Sequence, residues 1–151
     1  MWIAARLAGS RPSHAGLVQE RDRASRALAI ATTVQAVHFV EEWATGFHAS
    51  FPGLFGQEPM PLWLFVGFNL ACLAAWGASV PVLQSAQKLA FGAAWFLALA
   101  AMLNGIAHPI MAIVTAGYFP GLVTSPLIGL GGLYLWQQLT RTTSTESAID
   151  P

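Results

Sequence analysis

Four apolar runs, each about as long as the hydrocarbon core of a bilayer is thick, recur along this chain between short polar breaks. A membrane-spanning helix needs about 20 predominantly apolar residues, so runs of this length are typical of a polytopic membrane protein. Only 9% of the 151 residues are charged, against about 25% in a typical soluble domain, and the mean hydropathy is +0.55. The pattern therefore predicts one membrane domain and no second soluble domain.

The fold class predicted from these runs is all-α, a bundle of four transmembrane helices. Residues 24–139 form the membrane domain, residues 1–23 an N-terminal tail, and residues 140–151 a polar C-terminal tail that we expect to be disordered. All seven basic residues fall in the two tails, at the start of the first run or in the second-to-third turn, so the positive-inside rule places both termini in the cytoplasm. The predicted spans are Ala24 to Gly46, Leu62 to Leu83, Leu89 to Val114 and Gly121 to Leu139.

Charge and cysteine content restrict the partners of the chain. The formal net charge is zero, which provides no basic surface for nucleic acid. Cys72 is the single cysteine and lies inside an apolar run, so a disulfide within the chain is excluded. The partners that remain are membrane lipid and a hydrophobic small molecule.

The polar residues inside the spans cluster in one layer. At about 1.5 Å of rise per residue, the carboxylates Glu41 and Glu42 lie in the outer third of the hydrocarbon core. Asn104 and His108 arrive at the same depth on the third span, and Thr124 does so near the start of the fourth. Carboxylates at this depth are energetically costly and usually face the interior of a bundle, where they mark a functional site.

The same residues carry a resemblance to a known family. The segments "HFVEE" at 38–42, "NGIAH" at 104–108 and "YFPGLVT" at 118–124 resemble, in this order, the three motifs of the HXXEE family of small bacterial integral membrane proteins. The resemblance covers roughly residues 30–135 and implies location in a bacterial plasma membrane and an enzymatic activity of unknown kind. Carried onto this chain, the motif residues are His38, Glu41, Glu42, Asn104, His108, Tyr118, Pro120, Gly121 and Thr124.

Two kinds of enzymatic site fit these residues. The first is a metal centre in which His38, Glu41, Glu42 and His108 supply ligands for Zn²⁺, Mn²⁺ or Fe²⁺. Because consecutive helical residues point about 100° apart, one of the two glutamates is expected to act as a base and not as a ligand. Asn104 and Thr124 would orient the ligands, and the catalytic set would be completed by Tyr118.

The second kind of site works without metal. A protonated glutamate would donate a proton while His108 or the other glutamate accepts one, as in the isomerisation or cyclisation of a lipid- or isoprenoid-like substrate. A third hypothesis is non-enzymatic: the polar layer would be the binding site of a small carrier or ion-binding protein. The two histidines together with two glutamates favour the metal centre, because they exceed what proton transfer requires.

Overall fold

A computed structural model describes residues 14–85 and 87–149 of the chain. In these two ranges the protein is helical with short connections and contains five helices. The predicted tail residues before His14, Arg6 and Arg11 among them, lie outside the described residues. The helices are α1 (His14–Thr45), α2 (Phe47–Gly53), α3 (Leu62–Leu83), α4 (Lys88–Val114) and α5 (Ser125–Ile149).

The four long helices correspond to the four predicted spans, but two of them have different bounds. The second span matches α3 at both ends, and the third matches α4 to within one residue. The first helix begins at His14, ten residues before the predicted start at Ala24. The last helix begins at Ser125, four residues after the predicted start at Gly121, and continues beyond the predicted end at Leu139.

The prediction of a disordered C-terminal segment is wrong for residues 140–149, which continue α5. The added turns pack beside the early turns of α1. The Arg21 guanidinium donates two hydrogen bonds, at 2.9 and 2.6 Å, to the Glu146 carboxylate. The Thr142 hydroxyl is fully buried and lies 3.3 Å from the Glu20 carbonyl oxygen. These contacts join residues more than 120 positions apart, so composition alone does not reveal them.

The core is formed where α1, α4 and α5 pack together, with α3 against α1 and α4. Alanines on α4 at positions 90, 94, 98 and 101 are buried, as the small-residue spacing predicts. At Gly105 and Gly129 the backbones of α4 and α5 approach so closely that a Cβ on Gly105 would lie 2.6 Å from the Gly129 Cα. Small side chains therefore set the separation of these two helices.

Replacing Gly105 by alanine should lower stability, because the added Cβ meets backbone of α5 and cannot be accommodated by a side-chain rotation. Overpacking of this kind costs about 1–3 kcal/mol, which in a protein of this size lowers the melting temperature by several degrees. The matched control is Gly92→Ala on the same helix, where nothing lies within 4 Å of the new Cβ. Thermal unfolding in detergent measures both variants, and equal melting temperatures would contradict the predicted helix contact.

Two of the described helices, α3 and α4, are long and apolar enough to cross a membrane. Both are lightly buried inside the protein, and large apolar side chains such as Trp63, Phe68, Leu103 and Ile113 are exposed. On α3 only Phe65, Trp76 and Leu83 are buried. The helix therefore lies at the periphery, and a cavity remains between its N-terminal half and the helices α1 and α4.

Candidate metal centre

Three predicted site residues converge in one buried cluster, which we call the His–Glu cluster: His38, Glu42 and His108. His38 and Glu42 are separated by one turn of α1, and His108 faces them from α4. Their relative exposures are 0%, 5% and 1%. One ligand atom from each side chain lies within 4.8 Å of the other two, so the three residues form a group that could hold a metal ion.

The hydrogen bond made by His108 fixes which of its ring nitrogens carries the proton. Its Nδ1 lies 2.6 Å from the carbonyl oxygen of Pro120, in the connection between α4 and α5. A carbonyl oxygen can only accept a hydrogen bond, so Nδ1 is the donor and carries the hydrogen. In the neutral imidazole the lone pair is then on Nε2, the nitrogen that lies 3.4 Å from Glu42 Oε1.

In His38, too, Nδ1 is the nitrogen that carries a hydrogen, and a longer chain of contacts determines this. The Thr124 hydroxyl donates its one hydrogen to Glu41 Oε2 at 2.6 Å. Toward His38 Nδ1, at 2.7 Å, this hydroxyl can therefore only accept, so His38 Nδ1 carries a hydrogen. The lone pair of the neutral ring is again on Nε2, which lies 3.5 Å from Glu42 Oε1.

When both rings are neutral, two imidazole lone pairs thus face the Glu42 carboxylate. The His38 Nε2 atom is buried and has no hydrogen-bond partner among the described residues. A tetrahedral ion with bonds of about 2.0–2.1 Å holds its ligand atoms about 3.4 Å apart, close to the 3.4 and 3.5 Å observed. A protonated histidine beside the carboxylate would instead favour a contact of about 2.7–2.9 Å. The two Nε2–Oε1 separations thus match those between ligands of one ion, and all three ligand atoms lie within 4.8 Å of one another.

Glu41 lies outside the His–Glu cluster, although it is adjacent to Glu42 in the chain. Its carboxylate accepts hydrogen bonds from the backbone N–H groups of Val123 and Thr124, at 2.9 and 2.8 Å. It also accepts bonds from the hydroxyls of Tyr118 and Thr124, both at 2.6 Å. Both oxygens are engaged by the connection before α5, so Glu41 positions that connection and, through Thr124, the ring of His38.

Tyr118 belongs to the same contact. Its ring is half exposed, and its hydroxyl donates to Glu41. Partial burial and the hydrogen bond to the Glu41 carboxylate raise the pKa of the Tyr118 phenol, which keeps the phenol protonated as a donor. The predicted catalytic residue Tyr118 therefore holds Glu41 in place.

The connection from Tyr118 to Thr124, which we call the 118–124 loop, packs directly on both imidazole rings. Gly121 has a φ of +88°, a left-handed conformation that glycine adopts at little cost. A Cβ at this position would lie 2.5 Å from His108 Cε1 and 2.9 Å from His38 Cε1. The loop therefore needs glycine here for its backbone conformation and for the space that the two rings occupy.

Comparison of the chain with protein-family models, with curated proteins and with solved structures found no match. Membership of the HXXEE family stays a prediction that depends on the three motifs. The contacts described above give those motifs a common physical role, since the third motif supplies the hydrogen bonds and the close packing that orient the histidines and Glu41 of the first two.

Aromatic side chains cover the cluster. Phe47 follows the left-handed Gly46 at the end of α1, and its ring centroid lies 5.5 Å from that of His108. Phe119 is 2% exposed and packs against both of these rings. Neither residue was among the predicted site residues. The signal available in the sequence was the density of aromatics in the segment 47–63.

A cavity of about 480 Å³ adjoins the cluster, and Glu42 is the cluster residue that lines it. The predicted site residue Asn104 lines this cavity as well, and no hydrogen bond links its side chain to the cluster within the part of the chain that the structure describes. Gln35 was missed in the sequence, although it is a polar residue in an apolar helix one turn before His38. It is 5% exposed and lines the same cavity.

Proposed function

We propose that the chain is an integral membrane enzyme that binds a divalent transition metal at the His–Glu cluster and acts on a hydrophobic small molecule. The observation that carries this proposal is the pair of Nε2 lone pairs that face the Glu42 carboxylate at 3.5 and 3.4 Å. Partners that hold the Nδ1–H of a histidine are a general feature of metal sites, because they fix the tautomer and orient the ring. Pro120 and Thr124 are such partners here.

The donor set narrows the choice of metal. Two imidazoles and one carboxylate are the ligands of zinc hydrolase sites and of non-haem iron sites, so Zn²⁺, Mn²⁺ and Fe²⁺ are the candidates. When bound, such an ion supplies Lewis-acid chemistry. The chain itself supplies a water-poor environment, formed by the aromatic cover and by the apolar cavity that Glu42 lines.

The membrane topology is part of the proposal. The helices α1, α3, α4 and α5 would each cross the bilayer, with both termini on the cytoplasmic side of a bacterial plasma membrane. Support comes from the end of the bundle opposite the cluster, where Arg21 and Lys88 line one pocket and the Gln84 amide donates to Asp22 at 2.7 Å. The cluster then lies in the outer half of the membrane, and the exposed apolar side chains of α3 and α4 face lipid.

Metal analysis tests the metal centre. Protein purified in detergent should contain about one equivalent of a transition metal, or regain one equivalent after treatment with a chelator followed by addition of Zn²⁺, Mn²⁺ or Fe²⁺. Less than about 0.1 equivalent under all of these conditions would reject the metal centre, since a three-ligand site in equilibrium with excess metal fills nearly completely.

The enzymatic part has its own test. Metal-loaded protein is incubated with total membrane lipid extract, and lipid species are compared by mass spectrometry with a sample that contains a Glu42→Gln variant. We expect one species to be consumed and another formed by the metal-loaded protein alone. Identical lipid profiles in the two samples would leave a metal-binding protein or carrier as the better description.

A further inference from the structure

The cavity beside Glu42 has two kinds of wall. Six of its lining residues are aromatic and come from α3, α4 and the segment after α1, with Trp76 and Phe96 at the end remote from the cluster and Phe47 near it. Three carboxamide side chains interrupt this apolar lining: Gln35, Asn69 and Asn104. A cavity for hydrocarbon alone would not need them, and a carboxamide without a partner in an apolar lining is costly.

The hydrogen bonds of these carboxamides are incomplete. Gln35 is 95% buried, since its exposure is 5%, and within residues 14–85 and 87–149 its side chain makes no hydrogen bond. The side chain of Asn104 likewise makes no hydrogen bond within these ranges. The Asn69 amide donates to the Phe65 carbonyl oxygen at 3.0 Å, which leaves its own oxygen as an acceptor. Buried polar groups in folded proteins nearly always have partners, so a ligand in the cavity is the expected source of the partner that the buried Gln35 lacks, while Asn69 and Asn104 are half-buried beside it.

The cavity opens at its side. Leu64, Phe68 and Phe96 belong to its lining and are 45%, 61% and 55% exposed. These side chains lie on the helices that would face lipid, so a ligand reaches the cavity from the hydrocarbon region and not from bulk water. Its volume of about 480 Å³ is in the range of pockets for one small molecule, so the part of a ligand held inside has the size of a single chain or ring system.

The carboxamides lie at defined distances from the cluster. Gln35 precedes Glu42 by seven residues on α1, which is about 10 Å along the helix, and Asn104 precedes His108 by four, about 6 Å. A ligand whose reacting end is at Glu42 would therefore place a second polar group against these amides. The free Asn69 oxygen needs a donor, and an O–H group both donates and accepts, which suits amides that offer both functions.

We propose that this cavity binds a single-chain or ring lipid that carries a hydroxyl group, held by Gln35, Asn69 and Asn104, with Gln35 about 10 Å from Glu42 and Asn104 about 6 Å from His108 along their helices. The inference rests on the proposed function for its statement that the reacting end faces Glu42, and it names the substrate class of that site. Hydroxyl recognition by the amides does not itself require a metal.

Trp76 gives a direct readout, because it lines the cavity and is 6% exposed. The probes are 11-bromo-1-undecanol and 1-bromoundecane, which differ in the hydroxyl and quench tryptophan fluorescence through bromine. Quenching that a Trp76→Phe variant lacks reports occupancy of the cavity. We expect the alcohol to bind about tenfold more tightly than the alkane, the ratio that corresponds to one or two hydrogen bonds.

The variant Gln35→Met keeps the length of the side chain and removes its amide. It should reduce the preference for the alcohol to less than about threefold while affinity for the alkane is unchanged. Asn104→Leu should do the same, and it keeps the inference testable if Gln35→Met fails to fold. The matched control is Gln138→Met, a glutamine of equal burial that lies outside the cavity lining. The inference would be overturned if the unmodified protein bound alcohol and alkane equally, or if the preference survived both cavity variants. The amides would then be hydrogen-bonded to water and not to a ligand hydroxyl.

Failure of the proposed metal centre and failure of the hydroxyl site would give different combinations of metal content and probe binding. A protein that takes up no metal but still prefers the alcohol keeps the hydroxyl site and loses the metal centre. A protein with one equivalent of metal and no preference for the alcohol keeps the metal centre and loses the hydroxyl site. Measuring the probes on chelator-treated, metal-free protein of unchanged sequence separates the two, because the expected preference for the alcohol persists there without metal.

Discussion

Glu42→Gln should abolish stoichiometric metal binding, whereas Glu41→Gln, one residue earlier, should only weaken it. Glu42 supplies the sole carboxylate within 3.5 Å of both imidazole Nε2 atoms in the described part of the chain, and glutamine removes its charge. The loss of affinity should exceed about 100-fold, above the range of about 10–100-fold that an outer partner of a metal site costs. Metal titration of chelator-treated protein measures both variants.

Glu41→Gln changes only the support of the site. Its carboxylate accepts four hydrogen bonds from the 118–124 loop, and an amide nitrogen in place of one oxygen would face donors. We expect one equivalent of metal at saturation with an affinity about 10–100-fold lower. Glu58→Gln, at an exposed position in the connection between α2 and α3, serves as the control for loss of a single negative charge. If Glu41→Gln emptied the site while Glu42→Gln left it filled, the assignment of the two glutamates would be reversed.

Gly121→Ala should remove metal binding and destabilise the protein in one step. The left-handed backbone costs alanine about 1–2 kcal/mol. In addition, the new Cβ would lie 2.5 Å from one imidazole and 2.9 Å from the other, so at least one ring has to move. The expected result is a melting temperature several degrees lower and a metal content near zero in the protein that remains folded.

Two controls separate the loss of the site from general destabilisation. Gly131→Ala lies on α5, where nothing is within 4 Å of the new Cβ, and should retain metal and stability. Gly105→Ala perturbs the contact between α4 and α5 and should lower the melting temperature while keeping metal. Full metal content in folded Gly121→Ala would show that the 118–124 loop does not hold the rings in the way described.

The parts of the fold that depend on apolar run length could be predicted from the sequence. The run from Leu62 to Leu83 is preceded by Pro61 and followed by Gln84, and α3 has these bounds. The start of α5 could not be predicted in this way, because Gly121, Leu122 and Val123 are compatible with an apolar helix. In the folded chain Gly121 is left-handed, and the N–H groups of Val123 and Thr124 bind Glu41, so the helix begins later.

In the candidate site, too, some features could be predicted from helical spacing, and others depend on long-range contacts. Helical spacing correctly placed His38 and Glu42 on one face and brought Asn104 and His108 to a similar level. The different roles of Glu41 and Glu42 depend on contacts with residues 77 to 83 positions away, which periodicity does not encode. The tautomers of the histidines have the same origin, since each is set by an oxygen atom of the 118–124 loop.

The contact between His38 and Thr124 spans 86 positions, and this separation has a consequence for biosynthesis. While the ribosome has produced only the first three long helices, the two histidines have neither their Nδ1 acceptors nor the glycine surface against which they pack. A nascent chain therefore lacks the supports of the proposed metal site until the 118–124 loop has been synthesised. In the proposed metal enzyme, loading with metal would follow the synthesis of this loop.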